Sequence, residues 1–332
     1  MPGPEGLRWK PPTYTVGKNG KVVGYVNRDI NNWGKWGDDD QRGATNFITG
    51  EAVVKAAGLV KKGKVFSLGI PIDNTVPSLR SPAMKFMTVS STDSILGDPT
   101  ASDMPGFQAN DDFLMMPVQG ATNWDGLAHF AWEDVMYNGY WAGEVTVRSG
   151  LVHLGIQHLR STLIGRGVLL DIARYKGVER LMPGMPVSNM DLDGCAKKEG
   201  VEIRQGDLLL VRTGHMEHWY KLPQDQKMAA LRAGEPGMGV SSLPFLQEKK
   251  VAAVALDNLM AEVTPFEEPR TRPYPFHVQA VRNLGLLIGE LFKLDELAAD
   301  CAQDGAYEFF LSAAPLNITN AVGGMVNPIA IK

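Results

Sequence analysis

The sequence predicts an α/β fold, and two observations carry this prediction. Short continuous apolar runs, at residues 167–172, 208–211 and 251–256, are typical of central strands that are covered on both faces. Segments with helical signals separate these runs, and strands that alternate with helices form an α/β domain. The chain has 332 residues, of which 44% are hydrophobic, and single α/β domains of this size are common.

In the first half of the chain, capping residues and apolar spacing mark the elements. Thr49 is the predicted N-cap of a helix that ends near residues 61–63, and residues 65–72 are predicted to form a strand. The stretch 73–115 shows little periodicity and is long for a plain connection, which indicates either a lid over a site or an arm.

In the second half, helices and strands alternate. Residues 151–159 are predicted to be helical, and Ser188 with Asp191 resembles a capping box that opens a helix to about residue 198. The remaining predicted elements are helices at residues 242–248, 277–285 and 294–302 and a strand at residues 307–313.

Composition and charge exclude several classes of function. The formal net charge of −4 argues against a nucleic-acid partner, because phosphate binding requires clustered basic residues. The two cysteines, Cys195 and Cys301, are expected to be buried free thiols. The chain has no apolar signal core near its start and no run of about 18 apolar residues, so we expect no membrane partner and a cytoplasmic enzyme.

The segment QGATNWDGLAH, residues 119–129, is the most informative stretch of the chain. A buried carboxylate is costly unless something pairs with it, so Asp125 in these apolar surroundings indicates a site. In an extended segment, Gln119, Asn123, Asp125 and His129 would all point to one face. Trp124 would point to the opposite face, where packing in the core is the expected role.

This segment resembles the signature H-x-G-T-H-x-D-x-x-x-H of the cyclase-like metal-dependent hydrolases, the family of bacterial kynurenine formamidase and isatin hydrolase. Thr122, Asp125 and His129 match the signature, whereas Gln119 and Asn123 stand where the family has histidine. Further similarity to a longer branch of the family is found in residues 36–46, 65–69, 136–139, 167–171, 206–214 and 326–332.

The resemblance covers most of the chain beyond about residue 30. It implies a compact single-domain β/β/α layered fold with a central mixed sheet, over residues 36–332. Residues 1–35, rich in Pro, Gly and Asn, are expected to form an N-terminal arm that wraps the surface or a neighbouring subunit. The family also implies a homo-oligomer, a dimer or a tetramer.

The resemblance assigns roles to individual residues. Asp125 is expected to bind a divalent metal and His129 to act as general acid and base, a task that suits a side chain titrating near neutrality. His277 and Glu290 are expected to complete the metal site. The alternatives are a turn-capping Asp125, a core His129 bonded to backbone, and a surface His277 with Glu290 paired to Lys293.

The two departures from the signature bear on the identity of the metal. A carboxamide oxygen is a harder and weaker ligand than imidazole, so Gln119 and Asn123 should lower zinc affinity and favour manganese, magnesium or calcium. In the alternative case, these two substitutions abolish metal binding, and the two side chains hydrogen-bond to the substrate. We therefore expect a divalent cation, manganese or zinc, with this alternative left open.

Weaker candidates lie beyond the segment. Asp257, Asn258 and Glu262 follow an apolar run, and ligands gather at strand ends in α/β sheets. Tyr137 and Asn138 are expected to line a substrate pocket.

Other chemical signatures are weak or missing from the sequence. Asp171 either belongs to a site or pairs with Arg174, and His215 and His218 follow a strand end, where they would border a pocket. There is no G-x-G-x-x-G or G-x-x-x-x-G-K motif for a nucleotide and no G-x-S-x-G elbow of a serine hydrolase.

Three functions fit these residues. The first is a metal-dependent hydrolase of a cyclic amide, a lactone or a related carbonyl compound, with His129 as acid and base. The second is a metal-free cyclase, lyase or isomerase that uses His129 and Asp125. The third is a non-catalytic binding protein on the same scaffold.

Overall fold

The computed structural model describes residues 13–73, 75–77, 84–87, 111–267 and 272–332. Their strands, in chain order, are β1 Val65–Ser67, β2 Met84–Met87, β3 Asp112–Met115, β4 Asn123–Asp125, β5 Ile164–Asp171, β6 Pro186–Val187, β7 Leu208–Arg212, β8 Gly237–Met238, β9 Ala253–Leu256, β10 Leu287–Glu290, β11 Glu308–Ser312, β12 Gly323–Met325 and β13 Ile329–Ile331.

Nine of these strands form one sheet, in the order β1-β13-β11-β5-β7-β9-β10-β4-β12. The central strands β5, β7, β9 and β10 are parallel, and the outer ones pair antiparallel. Two small pairs, β2 with β3 and β6 with β8, lie outside it. The chain is thus a mixed α/β single domain around a large curled mixed sheet, as predicted.

The helices connect the strands and cover the sheet. They are α1 Gly50–Ala57, α2 Ile172–Tyr175, α3 Asn189–Glu199, α4 His215–Lys221, α5 Gln224–Ala233, α6 Leu243–Glu248, α7 Pro275–His277 and α8 Asp295–Asp304, and α7 continues as a π-helix over Val278–Leu284. Both predicted caps are confirmed: Thr49 accepts from the Ala52 amide, and Ser188 forms a reciprocal capping box with Asp191.

The core lies on both faces of the sheet. In β7, Leu208 and Leu210 face one apolar cluster, and Leu209 and Val211 face the other. Alternation of side chains along a strand produces this division, and apolar residues on both faces explain the continuous apolar runs. The predicted buried free thiols, Cys195 and Cys301, are confirmed.

Several predicted boundaries were wrong. The helix predicted over 151–159 is reduced to a 3₁₀ turn at Ile156–Leu159, because Leu154 has a left-handed φ of 63° that no α-helix accommodates. The strand predicted over 65–72 ends at Ser67, apart from an isolated bridge at Gly69. Helices α4 and α5 were not predicted.

The described part of the N-terminal arm, residues 13–35, packs on its own chain. The Trp33 indole donates to the carbonyl of Arg282 at 2.7 Å. The side-chain amide of Asn32 donates to the carbonyl of Leu284 at 2.9 Å. The predicted lid or arm at 73–115 falls mostly outside the described residues. No helix in the described part of the chain has the length and apolar character to cross a membrane.

Glu199 at the end of α3 carries a buried carboxyl in an unusual setting. Its Oε1 accepts from the Asp171 amide at 3.0 Å, and its Oε2 is buried. Burial raises the pKa of Glu199 to about 7, despite the Asp171 amide and the Cys195 thiol, which act in the opposite direction. The folded state therefore binds this proton more tightly than the unfolded chain.

We expect this group to make stability fall as the pH rises. A raised carboxyl pKa contributes stability that is fully present below the unfolded pKa near 4.5 and is lost as the pH approaches 7. After allowance for partial exposure, the loss is on the order of 2 kcal/mol. Glu199→Gln should remove this part of the pH dependence in urea unfolding at pH 5 and pH 8.

The exposed Glu248 provides the control, since Glu248→Gln should leave the pH dependence as in the wild type. If wild type and Glu199→Gln lose equal stability between the two pH values, Glu199 does not titrate as described.

Candidate active site

The register of β4 against β10 places three polar side chains on one face of the sheet. Asn123 pairs with Glu290 and Asp125 with Ile288, so Asn123, Asp125 and Glu290 point to the same side. Trp124 pairs with Gly289 and points to the opposite side, where it is fully buried and its indole donates to the Ala313 carbonyl at 2.7 Å. The core role predicted for Trp124 is confirmed.

His277 joins these side chains from α7. Its Nε2 lies 3.6 Å from Glu290 Oε1 and 4.0 Å from Asp125 Oδ2. One ligand atom from each of Asp125, His277 and Glu290 lies within 4.8 Å of the others, and all three residues are buried. The structure thus brings together the three residues that the resemblance placed at a metal, whereas Lys293, the alternative partner of Glu290, pairs with Glu296.

Glu262 fixes the orientation of the His277 ring. Its carboxylate accepts from the backbone amides of Phe276 at 2.8 Å and His277 at 3.2 Å, and it lies 2.6 Å from His277 Nδ1. Since a carboxylate at this position accepts, Nδ1 carries a hydrogen and Nε2 faces the cluster. Glu262 thus lies behind His277, and the substrate-binding role predicted for it stays a prediction.

The electrostatics of the cluster favour a cation. Burial and the charge of Asp125 raise the pKa of Glu290. Burial opposes the charged form of His277, but the carboxylates of Glu262 and Glu290 outweigh it and raise the pKa of His277. A divalent ion would supply positive charge beside these buried carboxylates.

Two buried oxygens in the cluster also lack partners. Asn123 donates its Nδ2 to Glu290 Oε2 at 3.3 Å, but Asn123 Oδ1 and Asp125 Oδ1 accept no hydrogen bond from any described residue. An unpaired buried oxygen is costly, and coordination to a cation would remove that cost. Carboxylate, amide and imidazole donors together fit a divalent metal.

Gln119 and His129 reach the site from turns on either side of β4. The expectation that all four residues share one extended face is wrong beyond β4, because residues 119–122 and 126–129 form turns. His129 Nε2 lies 3.6 Å from Asp125 Oδ1, and its side chain is 21% exposed. The Gln119 amide lies beside Gly323, the β12 partner of Asp125, where a Cβ atom would come within 2.6 Å of Gln119 Nε2.

An aromatic wall borders these groups. The ring of Phe130 lies 4.9 Å from that of His129 and 4.7 Å from that of His277, and Tyr274 lies 5.4 Å from Phe130. Apolar rings lower the local dielectric and thereby strengthen electrostatic interactions within the site. No motif in the sequence indicated this wall.

Left-handed backbone conformations also occur next to the cluster. Ala261, Tyr274 and Leu291 have left-handed φ values of 49°, 49° and 59°. Ala261 precedes Glu262, Tyr274 precedes α7, and Leu291 follows Glu290. Such conformations are costly for residues with side chains, and they persist where the surrounding structure positions functional groups.

The structure gives the weaker candidates other partners. Asp257 accepts from both the amide and the hydroxyl of Thr213 and from the Gly214 amide. The Asn258 side chain bonds to the backbone of Pro236 and Ala261. These contacts fix the loop after β9, and a substrate-binding role for Asp257 and Asn258 stays a prediction.

Tyr137 and Asn138 hold the segment that precedes α1. The Tyr137 hydroxyl donates to Asp40 at 2.9 Å. Asn138 accepts from the Gly34 amide and donates to the carbonyls of Gly37, Asp38 and Asp40. Their predicted contact with substrate stays a prediction.

Asp171 forms ion pairs with Arg174 and Arg212. The pairing with Arg174 is the structural role that the sequence offered as the alternative to a site.

One pair of residues beside the cluster was not predicted from the sequence. His215 Nε2 lies 3.1 Å from Glu235 Oε1, and both residues are buried. His215 was expected to border a pocket, but Glu235 carried no local signal, since it lies between helix α5 and a short strand and is 20 residues from its partner.

Comparisons with known proteins agree with this fold. The sequence profile of the family described as "Putative cyclase" matches residues 66–263. A solved structure described as a novel cyclase is 42% identical, with a TM-score of 0.85, over 92% of this chain and all of the other. No match was found among proteins with curated functional descriptions.

Two isatin hydrolases share the fold at low identity. One, bound to the product analogue thioisatinate, is 16% identical with a TM-score of 0.54, over 85% of this chain and 98% of the other. Isatin hydrolase A from Labrenzia aggregata, bound to benzyl benzoate, is 18% identical with a TM-score of 0.54, over 83% of this chain and 94% of the other. The profile match covers more than half of the chain, and on this evidence the protein belongs to the putative cyclase family.

Proposed function

We propose that this protein is a hydrolase that cleaves the amide or ester bond of a cyclic amide, a lactone or a related carbonyl compound with the help of a divalent cation. The observation that carries the proposal is the buried cluster of Asp125, His277 and Glu290 beside the partly exposed His129. Its family membership and the fold it shares with the isatin hydrolases support hydrolase-type chemistry.

The donor set favours manganese over zinc. Asp125, Glu290 and His277 would hold the cation, with Asn123 Oδ1 as the nearest neutral oxygen and Gln119 as a further donor. One imidazole among several oxygens suits a hard ion, whereas zinc sites usually hold more nitrogen or sulfur. A cation bound there would polarise a substrate carbonyl and lower the pKa of water.

The residues of this chain would carry the proton transfers. His129 takes a proton from the attacking water and returns it to the nitrogen or oxygen that leaves as the acyl bond breaks. Asp125, 3.6 Å from His129 Nε2, stabilises the imidazolium between these two steps. Phe130 and Tyr274 keep bulk water away from the His129 and His277 rings.

A metal-free cyclase, lyase or isomerase is the second candidate. The approach of His129 to Asp125 favours it, since a carboxylate beside an imidazole is the arrangement of a base and its orienting group. In this case Asn123 and Gln119 would hydrogen-bond to a substrate carbonyl. Metal analysis separates the two candidates.

We expect the purified protein to contain about one equivalent of manganese or zinc by plasma mass spectrometry. Chelation should remove it, and Asp125→Ala should lower the content well below that of the wild type, because a buried carboxylate ligand is lost. Asp193→Ala, at an exposed position in α3, is the matched control and should keep the metal. A folded protein that holds no metal would favour the metal-free candidate.

His129→Gln should lower turnover by about 10²- to 10⁴-fold and leave metal content unchanged, because the proton carrier is removed and the cluster is kept. Isatin, as a cyclic amide, and dihydrocoumarin, as a lactone, are suitable probes. His158→Gln, which changes a partly buried histidine with no role in the site, is the control. Unchanged turnover in His129→Gln would contradict the assigned role and support a non-catalytic His129.

Glu262→Gln should weaken metal affinity by about 10- to 100-fold, because the carboxylate that fixes the His277 ring is replaced by an amide. Isothermal titration with Mn²⁺ measures the effect, and Glu296→Gln, at an exposed position, serves as control. Equal affinities of wild type and Glu262→Gln would show that Glu262 does not act through His277.

A further inference from the structure

The chain makes a strained turn shortly after His129. Trp132 and Val135 exchange two backbone hydrogen bonds, of 3.0 and 3.1 Å, around Glu133 and Asp134, whose φ values are 53° and 61°. A type I′ turn requires positive φ at both central residues, and asparagine and glycine adopt it most easily. Acidic residues are costly in this conformation, which persists where surrounding contacts hold it.

The N-terminal arm contacts both strained residues. The Tyr14 hydroxyl donates to Asp134 Oδ2 at 2.7 Å, and the Tyr25 hydroxyl donates to Glu133 Oε2 at 2.8 Å. The partners are 120 and 108 residues apart in the chain, so these bonds are tertiary contacts and not part of the turn itself. The arm thus holds the turn that follows His129.

Arg282 connects this turn to the helix of His277. It is fully buried in the π-helix that begins directly after His277. Its Nε donates to the Val135 carbonyl at 2.8 Å, and its guanidinium also donates to the Tyr25 hydroxyl. Its Cζ lies 5.2 Å from the ring centre of Tyr25 and 5.0 Å from that of Trp33, so the cation lies against two aromatic rings of the arm.

Tyr25 is the link between the turn and the π-helix. Its hydroxyl accepts from Arg282 and donates to Glu133, and no carboxylate in the described part of the chain forms a direct ion pair with Arg282. Burial lowers the pKa of Arg282, and Tyr25 and the charge of Glu133 oppose this shift. Loss of the Tyr25 hydroxyl would therefore loosen the contact between the turn and the π-helix.

Both elements adjoin histidines of the candidate site. The turn follows His129 and Phe130, and the Phe130 ring lies 4.9 Å from the ring of His129 and 4.7 Å from that of His277. A shift of the turn against the π-helix would move His129 relative to His277. Proton transfer tolerates little displacement, since the two heavy atoms must lie about 2.6–3.2 Å apart.

We propose that Tyr25 and Arg282 are positioning residues for the proposed hydrolysis. They hold the turn after His129 against the π-helix after His277, and they thereby fix the His129 ring relative to the cluster. The inference rests on the proposed function, because it concerns the residue that transfers the proton there. It gives the N-terminal arm a role in the active site of its own chain.

Tyr25→Phe tests the link, because it keeps the ring against Arg282 and removes the hydroxyl. We expect kcat with isatin or dihydrocoumarin to fall about 10-fold, since His129 is displaced. KM and the affinity for Mn²⁺ should stay as in the wild type, because the groups proposed to hold substrate and cation are unchanged. Glu133→Ala should act alike, and the double variant should be no slower than either single variant, because all three lose the same contact.

Tyr307→Phe is the matched control, since Tyr307 precedes β11, which four strands separate from β4 in the sheet. It should keep the kcat of the wild type. A folded Tyr25→Phe variant with wild-type kcat would overturn the inference. So would a loss of Mn²⁺ affinity as large as the loss of rate, because the hydroxyl would then act on the cluster and not on His129.

The position of the His129 ring also has a readout that needs no turnover. In metal-free protein labelled in its histidine rings, NMR should show a shifted His129 signal in Tyr25→Phe, because the ring moves relative to Phe130. The signal is assigned by its loss in His129→Gln, and Tyr307→Phe should leave it in place. If the wild type hydrolyses neither probe, the proposed function fails and this signal decides: a shift supports the positioning role, and an unchanged signal overturns it.

Discussion

The pairing of β4 with β10 is the constraint on which the site depends. Gly289 lies opposite Trp124, and a Cβ atom there would come within 2.8 Å of the indole ring. The absence of a side chain lets Trp124 pack flat into the core, and this fixes the register. A shift by one residue would turn Asn123 and Asp125 into the apolar face, since successive side chains alternate. The same packing that buries Trp124 therefore assembles the polar cluster.

The site combines groups that a stable core would avoid. Asp125, Glu290 and His277 are buried together, and burial, with the neighbouring charge of Asp125, raises the pKa of Glu290. The left-handed backbone at Leu291 adds strain beside them. A fold retains such costs where they serve a ligand, which is the physical reason to place function here and not at the carboxylate networks elsewhere in the chain.

Local signals explain what the sequence could predict. The caps at Thr49 and Ser188 depend on neighbours within a few residues, and both are present in the structure. His277 and Glu290 were expected from family resemblance, because no spacing rule brings a helix start and a strand end together. The His215–Glu235 contact could not be predicted, since it depends on how α4 packs against the segment between α5 and β8.

The replacement of histidine by Asn123 is consistent with a retained cation site. The Asn123 side-chain amide has two roles. Its Nδ2 donates to Glu290, and its Oδ1 has no hydrogen-bond partner among the described residues. An imidazole is equally neutral as a ligand, so the exchange leaves the charge of the site unchanged and alters only the hardness of one donor. The excess negative charge comes from Asp125 and Glu290, which the chain keeps. In the proposed hydrolase, the affinity for a cation would thus rest on the two carboxylates, and the choice among cations on Asn123 and Gln119.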